Sequence, residues 1–188
     1  MDADIRIRAV GLPQRDLLIG MYDRFDPLGV ALGLPPRRAE ARRQWLSVAL
    51  SQKVNLAAFS PAREVVGHCF LVADKAGSAK MAIFVHQDFR RRGVGAALLK
   101  AALQSEGAAG LRRVWSLTSS DNKAGLRLQV RCGFRLINSA LPETELEIDL
   151  PVASRERFGN EIDFTGQSYD NIQYVDEHKF KNRRRQIQ

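Results

Sequence analysis

The sequence predicts an α/β protein: a mixed sheet flanked by helices over residues 1–150, with a polar C-terminal extension over 151–188. Three observations predict it. Strand-like runs at Val54–Phe59, 64–72 and 81–85 follow one another at the spacing of an antiparallel meander, punctuated by Ser60-Pro61 and the polar residues 74–78. A glycine-bearing turn then leads into an apolar-faced helix and a further strand at 114–118, and such a strand–helix–strand unit needs a parallel, right-handed crossover. From Pro151 onward no period of 2 or 3.6 is sustained.

Ile5, Ile7 and Ala9 alternate with Arg6 and Arg8, which reads as a half-buried first strand. Pro13 opens a helical segment through Leu17, Leu18 and Met21, and Asp26-Pro27-Leu28-Gly29 breaks it. Pro35-Pro36 leads into a second helix whose apolar face holds Trp45, Val48 and Ala49. After the meander, Val94, Ala97, Leu98, Ala101 and Ala102 line one face of a third helix that Gly107 and Gly110 stop. A fourth helix at 122–131 ends at Cys132-Gly133-Phe134, and strands at 134–137 and 145–150 close the domain. The expected order is βααβββ-α-β-α-ββ.

The 188 residues suffice for one domain with a buried core, and 45% apolar with 27% charged content is ordinary for a globular chain. The apolar runs are too short to span a membrane, and the acidic start Met1-Asp2-Ala3-Asp4 lacks signal-peptide character, so a cytoplasmic location is expected. Cys69 and Cys132 fit neither a disulfide framework nor a zinc site, and His68, His86 and His178 form no ligand pair, so no metal is expected. The net charge of +8 suits a phosphorylated ligand. Nucleic acid would also suit it, but the chain lacks the aromatic–basic interleaving that stacks bases, which leaves only the basic end, 179–185, for that reading. The extension carries Phe158, Phe164, Tyr169, Tyr174 and Phe180, more aromatic residues than a purely solvated tail needs. Part of it is expected to pack on the domain or on a second subunit, making a homodimer.

The chemistry concentrates in Arg90-Arg91-Arg92-Gly93-Val94-Gly95-Ala96, between a strand and a helix. A helix N-terminus presents unpaired N–H groups and partial positive charge to an anion, glycines let the backbone approach it, and three arginines add formal charge. A dinucleotide fingerprint would need glycine where Leu98 stands, and no Walker Gly-Lys-Ser/Thr occurs.

This segment, continued from Val85-His86-Gln87-Asp88-Phe89 to Leu98-Leu99, resembles the acetyl-CoA-binding motif of the GNAT superfamily of N-acetyltransferases, Arg/Gln-x-x-Gly-x-Gly/Ala. A second stretch, Asn122 to Gly133-Phe134, resembles that family's Asn-x-x-Ala-x-x-Leu-Tyr-x-x-x-Gly-Phe. The resemblance covers roughly residues 5–150 and implies a GNAT-like fold and acetyl transfer to a primary amine, on a small molecule or a protein. It further implies that Arg90, Arg91, Arg92, Gly93, Val94, Gly95 and Ala96 hold the pyrophosphate. Phe84 and Val85 would pair with the pantetheine arm, and Asn122 would contact that arm. Two positions depart from the family. Gln129 stands where a tyrosine often protonates the leaving thiolate, and Lys80 where many relatives carry glutamate. A thiol pKa near ~8.5 lets the thiolate leave without that acid. An amine of pKa ~10.4 still has to lose a proton, and His86, His68 and Glu64 are the base candidates. The stretch Tyr22-Asp23-Arg24-Phe25-Asp26, more weakly similar to bacterial protein-lysine acetyltransferase domains, offers Tyr22, Asp23, Phe25 and Asp26 to the acceptor. The alternatives are a catalytically weak acyl-CoA sensor, favoured by Gln129 and Lys80, and a nucleic-acid-associated protein using the basic tail.

Overall fold

A computed structural model describes residues 5–29 and 31–151. Expectations that fall on 152–188, including the five aromatic residues and the basic end, lie outside the described residues. The elements are β1 (Arg6–Ala9), α1 (Arg15–Asp23), α2 (Ala39–Leu50), β2 (Val54–Phe59), β3 (Val65–Ala73), β4 (Ser78–Val85), α3 (Val94–Leu103), β5 (Arg113–Ser119), α4 (Lys123–Arg131), β6 (Arg135–Ala140) and β7 (Glu143–Asp149). This is the order read from the sequence. The seven strands form one sheet in the order β1-β2-β3-β4-β5-β7-β6. All neighbours are antiparallel except β4 and β5, the pair joined by the α3 crossover.

Strand alternation sorts the core into two layers. On one face, Cys69, Leu71, Ala79 and Met81 meet Val94, Leu98, Leu99 and Ala102 of α3. On the other, Ala57, Phe70 and Phe84 meet Leu18, Met21 and Tyr22 of α1 and Leu46, Ala49 and Leu50 of α2. Each fully buried leucine contributes ~1.5–3 kcal/mol of transfer energy, so α1, α2 and α3 are held by their apolar stripes. Gly67 sets how closely α3 can lie: a β-carbon there would stand 2.8 Å from Leu98 Cδ1 and 3.3 Å from Val94 Cγ1.

Several boundaries differ from the sequence reading. The proline pair does not open α2; Arg38 is its N-cap, and the buried stripe is Arg42, Leu46, Ala49 and Leu50, with Trp45 only partly covered. Strand β4 begins at Ser78, three residues earlier than its apolar run, because Ser78, Ala79 and Lys80 are the residues that pair with β5. Strand β6 is an exposed edge, with Leu136 and Ile137 open to solvent. Arg135 there bonds Glu147 and Asp149 of β7, and charge on an edge strand discourages further pairing.

Candidate active site

Strands β4 and β5 pair only at Ser78↔Arg113, Ala79↔Val114 and Lys80↔Trp115, then part. Beyond that point β5 continues against β7 to Ser119, while β4 keeps only β3. Ser78 C=O and His86 N–H both bond on the β3 side, to Asp74 N–H and Val66 O. In an antiparallel strand the direction alternates, so Met81, Ile83 and Val85 turn their backbone groups toward the gap. The sequence reading named Phe84 and Val85 here; the residues whose backbones line the gap are Ile83 and Val85, while Phe84 pairs with His68 and buries its ring. An extended polar chain could add to β4 in this gap as a strand would.

The gap ends at the arginine–glycine turn. Gln87–Phe89 form one 3₁₀ turn, after which Arg91 (φ 65°) and Gly93 (φ 82°) both take left-handed backbone. Alternating handedness of this kind turns successive N–H groups to one side, an anion-binding nest. Gly93 is the N-cap of α3, and the first intrahelical bond is Ala97 N–H to Gly93 O at 3.0 Å. The N–H groups of Val94, Gly95 and Ala96 therefore point out of the helix start without helical partners. Gly95 has a different reason to be glycine: its β-carbon would lie 3.0 Å from Leu128 Cδ2 on α4 and 3.6 Å from Val85 Cγ2. The Arg90 guanidinium points away from the turn, donating to Val85 O at 3.0 Å and Asp26 O at 2.7 Å.

The three base candidates are not brought together. His68 is fully buried, and its ring is tied at both ends. The Asn55 amide donates to Ala49 O (2.6 Å) and Gln52 O (2.9 Å), which turns its Oδ1 to His68 Nε2 at 3.0 Å. Nε2 must then carry the hydrogen, and Nδ1 accepts from the Tyr22 hydroxyl at 2.7 Å. Burial pushes the His68 pKa down to about 3, and it raises that of Tyr22 well above the usual phenol value, with Cys69 adding a smaller electrostatic contribution. Glu64 lies on the surface, paired with Arg24 at 3.4 Å. His86, at the exit of β4, is 7% exposed, yet neither ring nitrogen has a hydrogen-bond partner. Its Nδ1 stands 3.6 Å from Asp88 Oδ2.

On the far side of the gap, Asn122 caps α4 by accepting from Gly125 N–H at 2.9 Å, and it donates to Thr118 Oγ1 at 3.2 Å. Gly125 makes room for this; a β-carbon would sit 2.6 Å from Asn122 Nδ2. Gln129 is buried and bonds the Ser116 hydroxyl, joining α4 to β5. Lys80 Nζ lies 5.3 Å above the Trp115 ring, and desolvation lowers its pKa while Glu143 raises it.

The four residues expected to meet the acceptor divide in the same way. Tyr22 and Phe25 lie in the aromatic core with Phe84 and Trp45, and Tyr22 is fully buried. Asp23 pairs with the buried Arg42, which also donates to Pro36 O (2.9 Å) and Arg37 O (3.1 Å). Asp26 is exposed, and its backbone N–H donates to Gln87 Oε1 at 3.1 Å. Sequence reasoning gave no role to Gln87, although it lies inside the motif-bearing stretch, nor to Asn55 and Trp115, which lie outside any motif. It also missed the acids of β7, Glu143, Glu145, Glu147 and Asp149, which the text spells at period 2 and which share one sheet face.

The family model for acetyltransferases of the GNAT family matches residues 26–134, more than half of the chain. The chain belongs to the GNAT family of acetyltransferases. Its fold is similar to those of solved members at low identity. The GNAT domain of S. lividans PAT superposes with a TM-score of 0.67 at 20% identity, covering 78% of this chain and 90% of that one. The PaiA N-acetyltransferase of Thermoplasma acidophilum, solved in complex with coenzyme A, gives 0.64 at 16%, covering 77% and 98%. A phosphinothricin acetyltransferase of Sinorhizobium meliloti, in complex with AcCoA, gives 0.65 at 14%, covering 78% and 89%. No curated protein matches the sequence. Among the described residues no helix is long and apolar enough to cross a membrane, and no cluster of His, Cys, Asp and Glu could hold a metal.

Proposed function

We propose that the protein transfers an acetyl group from acetyl-CoA to a primary amine of a small molecule or a protein. The observation that carries this is the gap between β4 and β5 closed at one end by the N-terminus of α3. One side of that gap is unpaired strand and its end is a set of N–H donors, which suits an amide-bearing arm that ends in a pyrophosphate. Two orphaned ring nitrogens on His86, at the same strand exit, likewise await a polar partner.

When bound, acetyl-CoA supplies a thioester whose carbonyl an amine can attack. Backbone N–H groups of Arg91, Arg92, Gly93, Val94, Gly95 and Ala96 hold the diphosphate, and the helix N-terminus adds its partial charge. The backbone of Ile83 and the N–H of Val85 offer strand hydrogen bonds along the arm, and the side chains of Phe84 and Phe25 back this wall with apolar surface. Asn122 acts through α4, whose first turn it caps, and so sets the opposite wall.

His86 is the base of this reading, taking the acceptor's proton at a ring nitrogen, with Asp88 placed to steady the imidazolium at Nδ1. The two internal bonds and low pKa of His68 speak against that role for it, and the surface pairing with Arg24 speaks against it for Glu64. Gln129 has no proton to give, so the thiolate leaves unaided or by water; a general acid typically contributes ~10²–10⁴-fold, and transfer here is correspondingly slow. Thiol release from acetyl-CoA, followed across small amines and lysine peptides, tests the reading. Release that no amine accelerates would favour the acyl-CoA sensor instead.

A further inference from the structure

Arg90 opens the phosphate-binding motif, yet its side chain is engaged elsewhere. Nε donates to Val85 O at 3.0 Å and Nη2 to Asp26 O at 2.7 Å, and the guanidinium lies 5.4 Å from the centre of the Phe25 ring. Its own N–H bonds Gln87 O at 3.3 Å. Gln87 completes the arrangement: its Nε2 donates to Arg24 O at 2.9 Å, and its Oε1 accepts from Asp26 N–H at 3.1 Å. Three backbone groups of an irregular segment, Arg24 O, Asp26 N–H and Asp26 O, thus find their partners in two side chains of the turn leaving β4. Irregular backbone without such partners is free to rearrange.

The loop that begins here runs on to α2, and its other end is held in the same manner by Arg42 on Pro36 O and Arg37 O. For Arg90 to reach an anion at the start of α3 it would have to release two carbonyls, one of which faces the β4–β5 gap. A planar guanidinium bridging two fixed carbonyls is held in one orientation, which a lysine cannot reproduce. We propose that Arg90 acts with Gln87 as a positioning residue that fixes the acceptor-side loop, and that the diphosphate is left to the backbone of the glycine turn. This rests on the acetyltransferase reading above, and it separates cofactor affinity from acceptor affinity within one short turn.

The test compares Arg90→Ala, Arg90→Lys and Gln87→Ala with the unaltered full chain in three measurements. Calorimetry with coenzyme A should give dissociation constants within about twofold of one another. Amide hydrogen exchange over residues 24–29 should accelerate about tenfold or more in all three variants, including Arg90→Lys. With whichever of spermidine, tyramine and an Nα-blocked lysine peptide the unaltered chain acetylates fastest, KM for the amine should rise about tenfold while KM for acetyl-CoA holds. A phosphate ligand behaves oppositely. A coenzyme A affinity that falls about tenfold in Arg90→Ala, is restored in Arg90→Lys, and leaves exchange over 24–29 unchanged would overturn the proposal. If the unaltered chain binds no coenzyme A, the acetyltransferase reading fails, and the exchange measurement still decides whether Arg90 and Gln87 hold the loop.

Discussion

Gly93 and Gly95 stand two residues apart in one motif and are glycine for different reasons. Gly93 takes a left-handed φ at the mouth of α3, where an L side chain costs ~1–2 kcal/mol of strain and would crowd an anion. Gly95 faces inward, against Leu128 and Val85. Gly93→Val is therefore expected to weaken coenzyme A binding by about a hundredfold (~2.8 kcal/mol) in a calorimetric titration while the protein stays folded. Gly95→Val is expected to lower the melting temperature by more than Gly93→Val does, because overpacking a helix–helix contact costs ~1–3 kcal/mol. Gln129→Ala strands the buried Ser116 hydroxyl and should cost ~1–3 kcal/mol in denaturant unfolding, with turnover changed less than about tenfold. A hundredfold loss of turnover at intact coenzyme A affinity would give Gln129 a catalytic role. His68 yields a pH dependence. Its folded-state pKa, about 3, lies below the unfolded value of ~6.5, so the unfolded chain binds the extra proton in between. Its contribution is intact above pH ~6.5 and is lost as pH falls toward 3, by roughly 1 kcal/mol per pH unit. Chemical denaturation of the protein and of His68→Gln across that range should show a shallower slope in the variant.

At the scale of elements, the β4–β5 gap and the two loop anchors shape the site. Arg42 is a buried cation at the N-terminal end of an otherwise apolar stripe on α2, and it satisfies Asp23, Pro36 O and Arg37 O together. Arg42→Met keeps the packing but removes these bonds; a loss of ~2–4 kcal/mol is expected on unfolding in denaturant. Among the described residues the order of the strands and helices was legible from apolar runs and turn signals, and the glycine turn was recognisable because only a few residue types build an anion cradle. What the sequence could not show was the direction of backbone groups along β4, which depends on register with β3, and so Ile83 went unnoticed beside Phe84. Nor could it show that Tyr22 and His68, both chemically active types, spend their polar atoms on one another, since they lie 46 positions apart. The acids of β7 were visible as a period-2 pattern, but their common face with Trp115 needed the strand order.

For the whole molecule, the sequence carries a net charge of +8, and the described residues form a fold whose central feature is a gap between two parallel strands ending at a helix start. Family membership supports acetyl transfer, and under the proposed function the departures at Gln129 and Lys80 are expected to slow it. Amine-dependent turnover is measured by steady-state thiol release from acetyl-CoA by the full chain, with and without each amine of a panel. Release should rise with amine concentration, saturate, and be abolished in Gly93→Val along with coenzyme A binding. Tight coenzyme A binding with thiol release that stays at the amine-free rate for every amine would contradict acetyl transfer to an amine.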